Sequence, residues 1–347
     1  MSPVRPARSR FAVIFLVLTL VVTLALPLPF VIFRPGTPSN VLGKMITVPV
    51  ENQEADLETR DPTGRLYLTT VYVTTPRSKV FGAEILDAWI RGDATVYPRS
   101  SIYPEGGDPV EIKNQEKFEM VNSQQYAIYN ALRFLGIEVE THARVIEILK
   151  QSDARGKLQV DDLIRKVDGK SVSTSAEIVE IVRKMSGDQS LSMQVERDGK
   201  IVDVPSIELI QNEKGSAIGI FLGMDFKSPV EVSIDIKRTG GPSAGLIFAL
   251  GVIEKMSGED LVRGRKIAGT GTIDIDGRIG AIGGIENKLI GASRIGATIF
   301  LAPISNCDDI EYVPDGLQVI PVSTLKEAVE VLRDSDPTDR PGCDVRQ

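Results

Sequence analysis

Two short stretches of the sequence pair a serine with a lysine in settings suited to chemistry. The first, residues 239–245 (TGGPSAG), places Ser243 after two glycines and a proline and before a long apolar run. Glycine permits tight turns, and proline suits the first turn of a helix. We therefore expect Ser243 at a turn that enters a buried helix. Backbone N–H groups at a helix start stabilise negative charge, as an oxyanion requires.

The second stretch, residues 283–288 (GGIENK), supplies a candidate base. Lys288 follows two glycines and has apolar neighbours at helical spacing. A lysine can remove the proton of a serine if burial lowers its pKa, because desolvation disfavours its charged form. The chain has a single histidine, His142, in a polar stretch without a second motif, so a Ser-His-Asp triad is not expected.

Three motifs in order, GPSAG at 241–245, GTGTI at 269–273 and GGIENKL at 283–289, resemble the proteolytic domain of Lon proteases. The resemblance covers roughly 217–332. It implies a serine endopeptidase in which Ser243 is the nucleophile, Lys288 is the general base and Thr270 supports the lysine. It also implies a homo-oligomeric ring. We predict an oxyanion loop that contains Gly241, Pro242 and Ala244.

One position departs from the family pattern. Lon proteases often have an acidic residue two positions before the proline of the serine motif, where this chain has Gly240. An alternative function therefore stays open. In that alternative the chain is a catalytically inactive membrane scaffold that binds protein C-termini.

Charge and composition exclude several classes of site. The formal net charge is −7, which argues against a nucleic-acid partner because such binding needs a basic face. Residues 169–171 (GKS) invite a phosphate-loop interpretation, but Ile164 stands where that motif needs glycine. We predict no nucleotide, no metal and no other cofactor. An ATP-independent protease would act on unfolded polypeptides or exposed tails.

Whether Cys307 and Cys343 pair cannot be decided from the sequence.

The N-terminal region carries a long apolar run, residues 11–33, flanked by arginines. Its length fits a membrane-spanning helix of about 20 residues, and a cleaved signal peptide is the competing interpretation. The positive excess before it predicts a cytoplasmic N-terminus. We predict a single-pass anchor in the cell membrane, in contact with the lipid bilayer through 11–33, with the C-terminal part extracytoplasmic.

Residues 138–210 resemble a PDZ domain. A strand pattern at 144–149 is followed by the stretch 156–172 (GKLQVDDLIRKVDGKSV), and Thr174 and Glu177 have the spacing of a capping box. The resemblance implies peptide binding by strand addition, for which the edge near 145–148 is the expected place. A rigid spacer or cover for the catalytic domain is the alternative.

The predicted fold class is α+β, with an N-terminal transmembrane helix, a β-rich PDZ domain and an α+β Lon-type proteolytic domain. The expected domain order is a cytoplasmic N-terminus at 1–10, the transmembrane helix at 11–33, a connecting α/β region at 34–137, the PDZ domain at 138–210, the proteolytic domain at 217–333 and a disordered tail at 334–347.

Overall fold

The computed structural model describes residues 7–48, 61–103, 109–186, 189–212, 215–236 and 241–343. The helices in chain order are α1 Ala7–Ala25, α2 Gly82–Arg91, α3 Arg99–Ile102, α4 Pro109–Phe134, α5 Ser175–Arg183, α6 Gly245–Met256, α7 Ile285–Arg294 and α8 Leu325–Arg333. Short 3-10 helices cover Ile304–Asp309 and Pro337–Asp339.

The strands of the first third of the chain are β1 Pro27–Leu28, β2 Phe30–Pro35, β3 Ser39–Asn40, β4 Ile46–Thr47, β5 Arg65–Leu68, β6 Val71–Val73, β7 Val80–Phe81 and β8 Thr95–Pro98. The middle third contains β9 Glu140–Ile148, β10 Leu163–Val167, β11 Lys170–Ser171, β12 Ser190–Arg197, β13 Lys200–Glu208, β14 Ile210–Asn212, β15 Gly215–Ala217 and β16 Ile220–Lys227. The last third contains β17 Ser233–Ile234, β18 Lys266–Gly269, β19 Thr272–Ile273, β20 Ile279–Gly280, β21 Ile299–Pro303 and β22 Gln318–Val322.

A five-stranded sheet of order β22-β21-β18-β5-β3 forms the base of the C-terminal part. Strands β22, β21, β18 and β5 are parallel, and only β3 is antiparallel to its neighbour. Parallel neighbours need crossover connections; α7 lies between β18 and β21 along the chain, and the 3-10 helix Ile304–Asp309 lies between β21 and β22. The chain is therefore mixed α/β, and the α+β class predicted from sequence is wrong.

The predicted transmembrane helix over 11–33 is also wrong. No helix among the residues that the structure describes is long and apolar enough to cross a membrane. Helix α1 ends at Ala25, and prolines at 27 and 29 prevent its continuation. The aromatic and β-branched residues at 30–33 form strand β2 instead, which pairs with β6 and β8. The apolar part of α1 after Arg10 is about 15 residues or about 22 Å long, against a bilayer core of about 30 Å. The predicted location as a single-pass protein of the cell membrane is therefore wrong as well, and the predicted contact of residues 11–33 with a bilayer is not supported.

A second sheet, of order β13-β12-β10-β9-β16 with β11 paired to β10, encloses its own apolar core against α5. Strand β9 was expected to offer a free edge at 145–148. It does not, because β16 pairs antiparallel with it from Lys227 opposite Glu140 to Ile220 opposite Ile148. Strand addition to β9 is thus already satisfied within the chain.

The tail was predicted to be disordered from Asp334. Its described part, up to 343, is held to the C-terminal sheet. Cys343 is disulfide-bonded to Cys307, and the Gln318 side chain on β22 donates to the Pro337 carbonyl at 3.5 Å.

Candidate active site

Ser243 lies at the entrance of helix α6, as its sequence context predicts. Gly241 adopts a φ of 87°, which glycine tolerates far better than other residues, and Ala244 is the N-cap of α6. The helix is buried along almost its whole length, with Leu246, Phe248 and Leu250 at 0% exposure. The apolar run after the serine therefore anchors its turn in the core, while Ser243 itself stays partly accessible.

Lys288 lies one turn into helix α7. The helix starts after Gly284, whose φ of 68° lies in the left-handed region. Lys288 is only 1% exposed, and Ile285, Leu289 and Ala292 of the same helix belong to a buried apolar cluster.

The structure brings the predicted serine, lysine and threonine together. Lys288 Nζ is 2.9 Å from Ser243 Oγ and 2.8 Å from Thr270 Oγ1. Thr270, which is fully buried, donates its own hydroxyl proton to the Ser243 carbonyl at 2.9 Å. Its oxygen is therefore left to accept an N–H of the lysine. A neutral amine that donates to Thr270 can turn its lone pair toward the Ser243 hydroxyl.

Burial sets the protonation of the lysine. Removal from water lowers the pKa of Lys288 from 10.5 to about 7. No acidic side chain contributes to the shift, so desolvation alone disfavours the ammonium form. A substantial fraction of Lys288 is then neutral at neutral pH, as a general base must be.

The predicted oxyanion loop is a tight turn before α6. Gly245 N–H donates to the Pro242 carbonyl at 3.3 Å, and Leu246 N–H donates to the Gly271 carbonyl at 3.1 Å. Pro242 has no N–H, so it shapes the loop and cannot donate to an oxyanion. The candidate donors are the N–H groups of Ser243 and Ala244, which follow it in the chain. Gly240, the position that departs from the family pattern, lies outside the described residues.

His142 lies in strand β9 and takes no part in this site. It is 5% exposed and contacts the Arg165 guanidinium and the Glu140 carboxylate. Burial, followed by the positive charge of Arg165, lowers its pKa. The single histidine is thus a packed residue of the β9 sheet.

The hydrogen bonds of two residues at the site were not predicted from sequence. Ser123 of α4 donates its hydroxyl to the Pro242 carbonyl at 2.8 Å. Asn287, next to the lysine, donates to the carbonyls of Phe33 and Asp93, each at 3.2 Å, and accepts from Thr95 at 3.1 Å. Both tie the site to distant parts of the chain, and neither residue belongs to a local pattern that signals the contact.

Two regions of the chain match models of known protein domains. Residues 234–334 match the model of the Lon protease (S16) C-terminal proteolytic domain. The chain carries a Lon-type serine peptidase domain. Residues 118–206 match the model of the PDZ domain, so the expected pair of domains is present.

The Lon-type domain has many curated relatives. Lon protease 2 of Herpetosiphon aurantiacus is 34% identical over 129 residues, which are 34% of this chain and 16% of that protein. Lon protease 1 of Bacillus subtilis is 34% identical over 114 residues, 30% of this chain and 14% of that protein. The chain thus spans less than a fifth of the length of these two relatives. Among solved structures, the PDZ domain of the SdrC-like protein of Listeria innocua is 25% identical, covering 23% of this chain and 92% of that chain with a TM-score of 0.22.

Proposed function

We propose that the chain is a serine endopeptidase in which Ser243 is the nucleophile and Lys288 is its general base. One observation carries this proposal: the amine of a lysine that is 1% exposed lies 2.9 Å from the hydroxyl of a partly accessible serine. A nucleophile and a base within hydrogen-bond reach, with a third group orienting the base, are the parts that covalent catalysis requires.

Acylation begins when neutral Lys288 accepts the hydroxyl proton of Ser243. The Ser243 oxygen attacks the peptide carbonyl, and the carbonyl oxygen becomes an oxyanion. Backbone N–H groups at the start of α6 stabilise it, helped by the positive end of the helix dipole. The protonated lysine then gives its proton to the leaving amine, and the ester of Ser243 remains.

Deacylation repeats the proton transfers with water as the nucleophile. Lys288 accepts a proton from a water molecule, the hydroxide attacks the ester, and Ser243 recovers its proton from the lysine. Thr270 keeps Nζ in place throughout, because its oxygen accepts an N–H of Lys288 while its own proton is fixed on the Ser243 carbonyl.

A protease domain and a PDZ domain fit peptide or polypeptide substrates. We expect unfolded proteins or exposed tails to be cleaved without ATP. β9 is an inner strand, paired with β16 along 140–148 and with β10 at 143–144. A peptide that adds an outer strand to this sheet would therefore use β13 or β16, or displace β16 from β9.

The test is cleavage of an unfolded protein such as casein by the full chain, Ser243→Ala and Lys288→Ala. Both variants are expected to lose several orders of magnitude in kcat, since nucleophile and base act as a unit. Lys255→Ala is a matched control, because that lysine of α6 donates to the carbonyls of Gly43 and Ile46 at the end of the helix far from Ser243. Near-full activity of Lys288→Ala would contradict the dyad. Equal cleavage by all four proteins would point to a contaminating protease.

A further inference from the structure

The two peptide groups that flank Ser243 are each held by a pair of donors. The carbonyl of Pro242 accepts the Ser123 hydroxyl at 2.8 Å and the Gly245 N–H at 3.3 Å. The carbonyl of Ser243 accepts the Thr270 hydroxyl and the Gly271 N–H, each at 2.9 Å.

These bonds also fix the directions of two N–H groups. A peptide group is planar, and in its trans form the carbonyl and the following N–H point in opposite directions. Holding the Pro242 carbonyl therefore holds the Ser243 N–H, and holding the Ser243 carbonyl holds the Ala244 N–H. Both N–H groups point away from the anchoring residues. They are the donors that an oxyanion on a carbon bonded to Ser243 Oγ would meet.

Ser123 differs from the other anchors in its origin. Thr270 and Gly271 belong to the matched Lon-type domain, 234–334, whereas Ser123 belongs to helix α4 outside it. It is 2% exposed, and a Cβ placed on Gly245 would lie 2.9 Å from its hydroxyl oxygen. Glycine at 245 thus lets α4 approach closely enough for the hydroxyl to reach the Pro242 carbonyl.

We infer that Ser123 is a positioning residue that aims the Ser243 N–H at the oxyanion. The inference rests on the proposed function, and it makes α4 part of the catalytic apparatus. Without the hydroxyl, the Pro242 carbonyl keeps only the longer bond from Gly245, and the peptide group can rotate. The oxyanion then meets a less well-directed donor, while the distance between Lys288 and Ser243 is unaffected.

The first measurement is steady-state cleavage of a peptide substrate by Ser123→Ala. Removing one oxyanion donor from a serine protease costs about 100-fold to 1000-fold in kcat. Loosening a donor should cost less, and we expect kcat to fall roughly 10-fold to 100-fold, with KM within twofold of wild type. The midpoint of the pH profile should stay where it is, because Ser123 does not contact Lys288.

The matched control is Ser152→Ala. It also removes a buried hydroxyl that donates to a backbone carbonyl, that of Ile218 at 2.6 Å, but in the loop after β9, where the same hydroxyl accepts the Ala154 N–H at 3.1 Å. It should leave kcat unchanged. If Ser123→Ala does not fold, Ser123→Cys keeps the side-chain size and replaces the hydroxyl with a weak donor.

A second readout is the affinity for a peptide boronate, which forms a tetrahedral adduct with a serine nucleophile. A positioning role predicts that Ser123→Ala weakens this affinity by about the same factor as kcat, because both depend on the oxyanion donors. A kcat within twofold of wild type, a loss confined to KM, or an equal loss in Ser152→Ala would overturn the inference while the dyad stands. Full activity of Ser243→Ala, or an inactive wild type, would overturn the proposed function and this assignment together.

Discussion

At the scale of single residues, the site depends on a lysine that the fold keeps out of water. Lys288 is as buried as the apolar core residues beside it, and no acidic side chain in the part of the chain that the structure describes balances its charge. An ammonium in that position is destabilised, so its pKa falls to about 7. The same burial that costs stability in the charged form supplies the free amine that the reaction needs.

This pKa predicts the pH dependence of the reaction. The neutral lysine is the active form, and it predominates above its pKa, so kcat/KM should rise with pH through about 7 and level off above it. Below the midpoint the fall should approach tenfold per pH unit. The measurement is kcat/KM for one peptide between pH 5.5 and 9, with circular dichroism at each pH to verify folding. A profile that is flat between pH 6 and 8 would contradict Lys288 as the base.

At the scale of elements, local patterns predicted the helices of the site well. Helix α6 begins directly after the serine motif, as expected, and the Thr174 hydroxyl accepts the Glu177 N–H at the start of α5, as the capping-box spacing predicted. These elements depend on side chains within one or two turns of each other. The proximity of Ser243, Thr270 and Lys288 followed from the family resemblance and not from any local pattern.

Elements that depend on distant partners were not predicted. Strand β5 joins the C-terminal sheet parallel to β18, although about 200 residues separate them, and no local pattern encodes that pairing. Strand β2 was not predicted, because most of it lies in the apolar run 11–33, whose hydrophobicity favoured a membrane helix. The prolines at 27 and 29 carried the correct signal, since they end a helix. The contact of Ser123 with Pro242 depends on the packing of α4 against α6, which no spacing in the sequence reveals.

Helix α6 also carries a buried acid, Glu254, near its C-terminal end. The residue is 1% exposed, and its Oε2 accepts the Leu261 N–H at 2.9 Å. Burial, with a further contribution from the charge of Asp260, raises its pKa from 4.5 to about 7. Because the folded pKa exceeds the unfolded value, the contribution of Glu254 to stability is fully present below pH 4.5 and is lost as the pH rises from 4.5 to about 7.

Glu254→Gln should remove that loss, because the amide stays neutral at every pH. A shift from 4.5 to about 7 corresponds to roughly 3 kcal/mol, so the variant should exceed wild type in free energy of unfolding by up to that amount at pH 8. The check is urea unfolding at pH 4.5 and pH 8, with Glu259→Gln, whose carboxylate is 47% exposed and pairs with Arg333 at the surface, as the control. If the free energy of unfolding of Glu254→Gln changed between pH 4.5 and pH 8 by as much as that of wild type, Glu254 would not be the source of the loss.

At the scale of the whole molecule, strand β2 from the N-terminal part of the chain contacts the Lon-type domain. Strand β2 buries Val31, Ile32 and Phe33 at 0%, 4% and 7% exposure. The Phe33 carbonyl accepts from the amide of Asn287, one residue before the proposed base, and the Phe33 ring contacts Tyr97 edge-on at 5.1 Å between centroids. Helix α7 is therefore supported from outside the matched Lon-type domain.

Two shortened chains separate this support from the contribution of α1. A chain that begins at Leu26 keeps β1 and β2 and loses α1, whose described side chains are almost all exposed. A chain that begins at Gly36 also loses β2. Burying one large apolar side chain contributes about 1.5–3 kcal/mol, so three of them approach the whole stability of a typical domain, about 5–15 kcal/mol.

We expect the longer of these chains to unfold near the midpoint temperature of the full chain and to keep its peptidase activity. The shorter one should unfold at a much lower temperature or fail to fold, because the edges of β6 and β8 and the Asn287 amide lose their partners. Thermal unfolding followed by circular dichroism, beside casein cleavage, measures both. Equal midpoints for the two chains would mean that β2 does not support the lysine helix, and unfolding of both would assign that support to α1.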